Sequence, residues 1–228
     1  MRKLNKAFWC VFRLNMQVIY RTGGTTITTL LFFITVVSLS PFGFGPDMVM
    51  LAITGPALIW IGALLATLLT MDSLFQSDEA DGTLEALLAA DRAIPIELIV
   101  LAKCLSHWLS NAVPLVSSIP LIALLVNIDL ATVLASMLAL LAGTLVLTLI
   151  GSIGAALEVT SRCGNVLMAV LVMPFTIPVL VFGISASLSA SVEHASFSSS
   201  FLILLSFGIV SLVIAPFAAA ALLRISNE

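Results

Sequence analysis

Lys103, His107, Asn111 and Pro114 succeed one another at steps of four, four and three residues inside a run, Leu98 to Val126, that is otherwise uncharged. At that spacing the side chains fall on one face of a helix. An amine, an imidazole and a carboxamide in line can border a polar substrate pathway or knit one helix to another. Ser106, Ser110, Ser117 and Ser118 widen the stripe on neighbouring turns. Ionisable groups are costly in hydrocarbon, so the stripe has to face protein or water, and a lysine near a helix start can also reach the headgroups. Packing or snorkelling is favoured over a substrate pathway.

Charge concentrates a second time between Asp72 and Glu97, where seven acids (Asp72, Asp78, Glu79, Asp81, Glu85, Asp91, Glu97) face one base, Arg92. Asp81 or Thr83 is suited to cap a short helix, Leu84, Leu87 and Leu88 recur at i, i+3 and i+4, and Pro95 stops it. A helix this short is marginal alone, so its leucine face needs a partner surface, and the acids suit one lined with arginine or lysine. The alternative is a solvated loop whose leucines rest on the membrane.

Other reactive side chains are dispersed. Cys10, Cys104 and Cys163, with His107 and His194, form no group with metal-ligand spacing and no Cys-x-x-Cys-His motif, so no metal site is expected, and the cysteines lie where disulfides are not. Glu158 and Arg162 at i, i+4 read as a surface pair. Trp9, Trp60 and Trp108 are scattered and read as boundary anchors. A transmembrane enzyme would need clustered acids, bases or ligands, and Lys103 with His107 is too little. No Gly-x-x-x-x-Gly-Lys-Ser/Thr loop occurs, so any ATP must be bound by another chain. No nucleic-acid partner is expected.

The elements that must position these residues are membrane helices. Hydrophobic residues make up 61% of the 228, charged residues 9%, and mean hydropathy is +1.21, beyond what a soluble core absorbs. Six runs are long enough to span: Thr25 to Phe44, Met48 to Met71, Leu98 to Val126, Leu130 to Leu157, Val166 to Leu188 and Phe197 to Leu223. All nine lysines and arginines fall before the first run, around the second-to-third and fourth-to-fifth connections, or after the sixth. Short basic segments stay cytoplasmic, which predicts an all-α protein of six transmembrane helices with both termini inside. Before the first span, Leu4, Phe8, Val11, Phe12, Met16 and Ile19 share one helical arc and Arg2, Lys6, Arg13 and Gln17 the other, the pattern of an interfacial helix on lipid headgroups. Gly143, Gly151, Gly154 and Ala155 permit close helix contact, and Pro174, Pro178 and Pro216 predict kinks. No inverted repeat stands out, which argues against a secondary transporter.

The run Asp81-Gly82-Thr83-Leu84-Glu85-Ala86-Leu87-Leu88, followed by Pro95 and Lys103, resembles the acidic-Gly-Thr-Leu-Glu pattern of ABC-2-type exporter permeases, where it lies between the second and third spans. Within that type the stretches PFGFGPD (Pro41 to Asp47), GPALIWIGALLATLL (Gly55 to Leu69), LAKCLSHWL (Leu101 to Leu109) and VMPFTIPVLVFG (Val172 to Gly183) are similar, in order and spacing, to the haem exporter B family of cytochrome c maturation. The resemblance implies one transmembrane domain over residues 1–228, with an amphipathic helix over 1–24 and a cytoplasmic coupling segment over 72–97. It implies a non-catalytic permease in the inner membrane, present in two copies and paired with a separate ATP-binding cassette ATPase that holds the ATP. Haem is then the cargo of the complex, and further maturation subunits load it onto a periplasmic chaperone. Asp81, Gly82, Thr83, Leu84, Glu85, Leu87 and Leu88 become the ATPase-coupling element, the leucines inserting into a groove on the ATPase and Gly82 giving the backbone freedom to leave the acidic turn. His194, beside Glu193, is a poor candidate for a haem ligand. A permease for another substrate and a membrane scaffold without transport stay as alternatives.

Overall fold

The computed structural model describes residues 2–45, 47–89, 94–161, 165–189 and 197–225. Among them the chain forms ten helices and no strand: α1 (Arg2–Thr22), α2 (Gly24–Ser38), α3 (Ser40–Phe44), α4 (Met48–Met71), α5 (Ser73–Ala80), α6 (Thr83–Ala89), α7 (Ile96–Val126), α8 (Leu130–Ser161), α9 (Asn165–Leu188) and α10 (Phe197–Ile225). Five stretches are long and apolar enough to cross a membrane, Gly24–Gly43, Met48–Ala80, Ile96–Val126, Leu130–Thr160 and Phe197–Ile225, and α9 adds a shorter apolar stretch, Val172–Leu188. This is an all-helical membrane protein.

Local chemistry sets the boundaries. Gly23 joins α1 to α2 in the left-handed region, φ 59°, which glycine adopts without a Cβ penalty. Asp47 starts α4 by accepting from the backbone N–H groups of Val49 and Met50 at 3.0 and 3.2 Å, satisfying two donors that a helix start leaves free. Asp129 does the same for Thr132 at 3.2 Å. The connection after the second span differs from the sequence reading: Asp72 is itself helical, and α5 carries the rod on to Ala80 before the chain turns. Threonine and serine hydroxyls inside the spans bond carbonyls of their own helix, as Thr67 does to Ala63 at 2.7 Å and Ser152 to Leu149 at 2.7 Å, so few polar groups are left bare in apolar surroundings.

Packing centres on α8, which lies against α4, α5, α7, α9 and α10. The main core joins Phe33 of α2, Trp60 of α4, Ile119 of α7, Leu140 and Leu147 of α8, Val179 of α9 and Leu204 of α10. Trp60 is not a boundary anchor. It is fully buried, donates through Nε1 to Ser187 Oγ at 3.0 Å, and its ring edge lies so close to Gly143 and Gly183 that a Cβ at either would sit 2.3 Å from it. The small residues of α8 therefore receive side chains of α4, and Gly151 accommodates Met71 likewise. The helices continue through the internal prolines Pro174, Pro178 and Pro216. Apolar side chains such as Phe42 and Leu124, 86% and 84% exposed, face outward, as they would toward lipid.

Several contacts define one end of the bundle. Arg224 of α10 bonds Glu97 of α7 at 2.8 Å, Thr160 of α8 donates to the carbonyl of Leu222 at 3.2 Å, and Gln76 of α5 donates to Glu158 of α8 at 2.8 Å. Glu158 was expected to pair with Arg162, which lies outside the described residues, as do Asp91, Arg92, Cys163, Glu193 and His194. At the other end Gly55 of α4 meets Val126 and Ile128.

Candidate functional site

The α5–α6 hairpin occupies the end of the bundle just defined. Asp81 closes α5, its N–H donating to Ser77 at 3.1 Å, and does not open α6. Gly82 follows at φ 70°, a left-handed turn that favours glycine, and α6 begins at Thr83. The two faces of α6 then separate. Leu84 is buried, 6% exposed, in a cluster with Leu74 and Phe75 of α5 and Ile96 and Val100 of α7. Leu87 and Leu88 are half-buried over the same crevice, which Leu223 of α10 also lines. The leucines expected on a partner's groove are therefore turned, Leu84 most completely, onto the chain's own bundle. What the hairpin offers outward is Glu79, Asp81, Gly82, Thr83 and Glu85, all exposed.

Beneath the hairpin, the first part of the α7 stripe is buried, with Lys103, His107 and Asn111 6, 5 and 5% exposed, whereas Pro114 and Ser118 are half-buried and Ser117 is exposed. Lys103 Nζ forms an ion pair with Asp78 Oδ2 of α5, donates to the Leu74 carbonyl at 3.3 Å, and stands 5.8 Å from the centre of the Phe75 ring. One turn deeper, His107 Nε2 lies 3.0 Å from the carbonyl of Thr70, and Asn111 Nδ2 lies 3.0 Å from His107 Nδ1. Nε2 then carries the proton and donates, while Nδ1 accepts from the amide. Asn111 also reaches Thr70 Oγ1 at 3.4 Å and accepts from Thr29 Oγ1 of α2 at 3.3 Å. The structure thus brings Lys103, His107 and Asn111 together and gives each a partner on another element.

Between α1 and this stripe lies a polar cleft of about 170 Å³, bordered by Asn15 and Ile19 of α1, Ser77 of α5 and Ser106, Ser110 and His107 of α7. A water takes up roughly 30 Å³, so the cleft has room for a few waters and falls below the roughly 300 Å³ of small-molecule pockets. The half-buried side of α1 is the predicted apolar arc, Phe8, Val11, Phe12, Met16 and Ile19, and α1 packs on α7 and α2. Sequence reasoning missed Asp78, Thr70 and Thr29 as the partners of the stripe. A signal existed for Asp78: continued as a helix, α5 places Leu74 and Asp78 on one face at i, i+4. Among the described residues no group of three or more His, Cys, Asp and Glu side chains is placed to hold a metal ion.

Residues 6–226 match the model of a family described as CcmB protein. The chain belongs to the CcmB family. It is 49% identical over 218 residues to heme exporter protein B of Bradyrhizobium diazoefficiens, covering 96% of this chain and 97% of that one. Proteins of the same name from Pseudomonas aeruginosa and Escherichia coli K12 are each 38% identical, over 223 residues (98% of this chain, 99% of the relative) and 221 residues (97% and 99%). The CcmB match runs from α1 through α10, so amphipathic helix, hairpin and stripe all lie inside the shared region.

Proposed function

We propose that this chain is the transmembrane permease subunit of an ABC transporter complex in cytochrome c maturation. It couples ATP hydrolysis by a separate ATPase subunit to haem export or to release of the haem-loaded periplasmic chaperone. Membership of the CcmB family over nearly the whole chain is the observation that carries this reading, together with relatives named heme exporter protein B. In it the subunit itself is non-catalytic, sits in the inner membrane with both termini cytoplasmic, is present in two copies and binds neither ATP nor haem as a cofactor of its own.

The docking surface we assign to the ATPase is the acidic elbow of α5–α6, because Leu84 is occupied within the bundle while Glu79, Asp81 and Glu85 stand free of it. Such a surface suits a partner presenting arginine and lysine. The test is co-purification of the ATPase with the paired variant Asp81→Lys/Glu85→Lys, alongside a cytochrome c maturation assay. Exposed substitutions of this kind shift stability by no more than about 0.5 kcal/mol, so the variant accumulates. Recruitment and maturation are both expected to fall, and wild-type recruitment would reject the elbow as the docking surface.

A further inference from the structure

The stripe on α7 and the rod formed by α4 and α5 run antiparallel in a matched register. Going up α7, Lys103, His107 and Asn111 advance by four residues; going down the rod, Asp78, Leu74 and Thr70 retreat by four. Lys103 takes Asp78 and the Leu74 carbonyl, His107 takes the Thr70 carbonyl, and Asn111 takes the Thr70 hydroxyl before reaching across to Thr29. Eight residues of helix rise about 12 Å, so the contacts form a polar zipper of that length leading from the hairpin into the bundle. Its outermost member is the only one that carries charge, and it is enclosed: the side chains of Lys103 and Asp78 are 7 and 17% exposed.

We propose that Lys103 is the positioning residue that bolts the coupling hairpin to the third span, so that a displacement imposed on α5–α6 moves α4 and α7 together. The inference rests on the reading that the hairpin meets the ATPase. All of the contacts of Lys103 given above fall on α5: the carboxylate of Asp78, the carbonyl of Leu74 and the ring of Phe75. Asp72 joins α5 to α4 in helical conformation, which makes the two a single lever. A lever attached only by apolar contacts can slide, because those contacts are non-directional. A charge pair largely enclosed by the bundle, opening only on the small cleft beside α1, fixes a register, since moving either partner leaves a mostly buried charge uncompensated.

The experiment uses the whole complex in cells and in purified form, with Lys103→Met, Lys103→Arg and the double variant Lys103→Met/Asp78→Asn. Methionine keeps most of the packed stem and removes the charge. The double variant Lys103→Met/Asp78→Asn, which leaves no unpaired charge, is expected to accumulate and to retain the ATPase within about twofold of wild type, while maturation falls at least about tenfold and ATP hydrolysis continues. Lys103→Met, which strands Asp78, is expected to show the same uncoupling at a lower subunit level. Lys103→Arg, which preserves the pair, is expected to keep most of the coupling. A merely structural role would lower subunit level and ATPase retention together; the ratio of ATP hydrolysed to cytochrome matured would then not move. Normal maturation in Lys103→Met overturns the proposal. If that single variant fails to accumulate, the double variant decides, because it leaves no unpaired charge: uncoupled hydrolysis supports the bolt and normal maturation overturns it. Loss of both variants from the membrane also overturns it, since the pair then serves folding alone. Failure of the wild-type chain to retain the ATPase removes the underlying reading, and this inference with it, and is seen before any variant is compared.

Discussion

Trp60 illustrates how single residues decide the packing. Its ring edge is held between Gly143 of α8 and Gly183 of α9, while its indole N–H is satisfied by Ser187. Alanine in place of a helix-interior glycine ordinarily gains roughly 1 kcal/mol. Here the added methyl would stand 2.3 Å from a fully buried, rigid ring, and overpacking of that kind costs about 1–3 kcal/mol. Gly143→Ala is therefore expected to lower the thermal midpoint of the detergent-purified protein. Adding Trp60→Phe, which trims the edge, is expected to restore part of it; a Gly143→Ala midpoint at or above wild type would contradict the assignment. The place of Trp60 was not legible in the sequence. A span that is apolar on all sides carries no periodic signal of which face meets protein and which meets lipid. Lys103, His107 and Asn111 were legible for the opposite reason, because polar groups in an apolar run must find partners.

The second-to-third connection shows what patterning conveys about an element and what it leaves to tertiary contact. The leucine spacing located α6, and Gly82 located its turn, since both signals act within a few residues, whereas Pro95, expected to stop α6, stands directly before α7. The helix over Ser73–Ala80 was not foreseen: its composition is polar, and it is held by Gln76 on Glu158 and Asp78 on Lys103, partners about 80 and 25 residues away. The destination of the leucine face was likewise undetermined, because an apolar stripe states only that something covers it. Removing a buried leucine side chain costs about 2–5 kcal/mol, so Leu84→Ala is expected to loosen α6 from the bundle. Hydrogen exchange over residues 73–89 is the measurement: faster exchange in Leu84→Ala than in the volume-conserving Leu84→Met is the expected result. Equal protection in the two would show that the bundle does not hold this face.

At the scale of the whole molecule, contacts between helix ends gather several of the described cations toward one end of the bundle. The contacts of Glu97, Glu158, Leu222 and Arg224 gather the hairpin, the start of α7 and the ends of α8 and α10 at one end of the bundle. The cleft shared by α1, α5 and α7 adds the amphipathic helix to that end. Lys103 and Arg224 lie there, and α1 brings Lys6, Arg13 and Arg21 on its exposed side. Asp47 and Asp129 start α4 and α8 at the opposite end, where Gly55 meets Val126 and Ile128. If basic segments stay in the cytoplasm, single cysteines at Asp47, Asp129 and Glu193 in a background lacking Cys10, Cys104 and Cys163 should react with an impermeant maleimide added to the outer face. Cysteines at Ser77 and Asn227 should react only after the cells are opened. Replacing Asp47 or Asp129 removes a helix cap at a cost of about 1 kcal/mol, small enough for the protein to insert. Labelling of Ser77→Cys from outside in intact cells would invert the arrangement, and with it the side on which any ATPase meets the α5–α6 elbow.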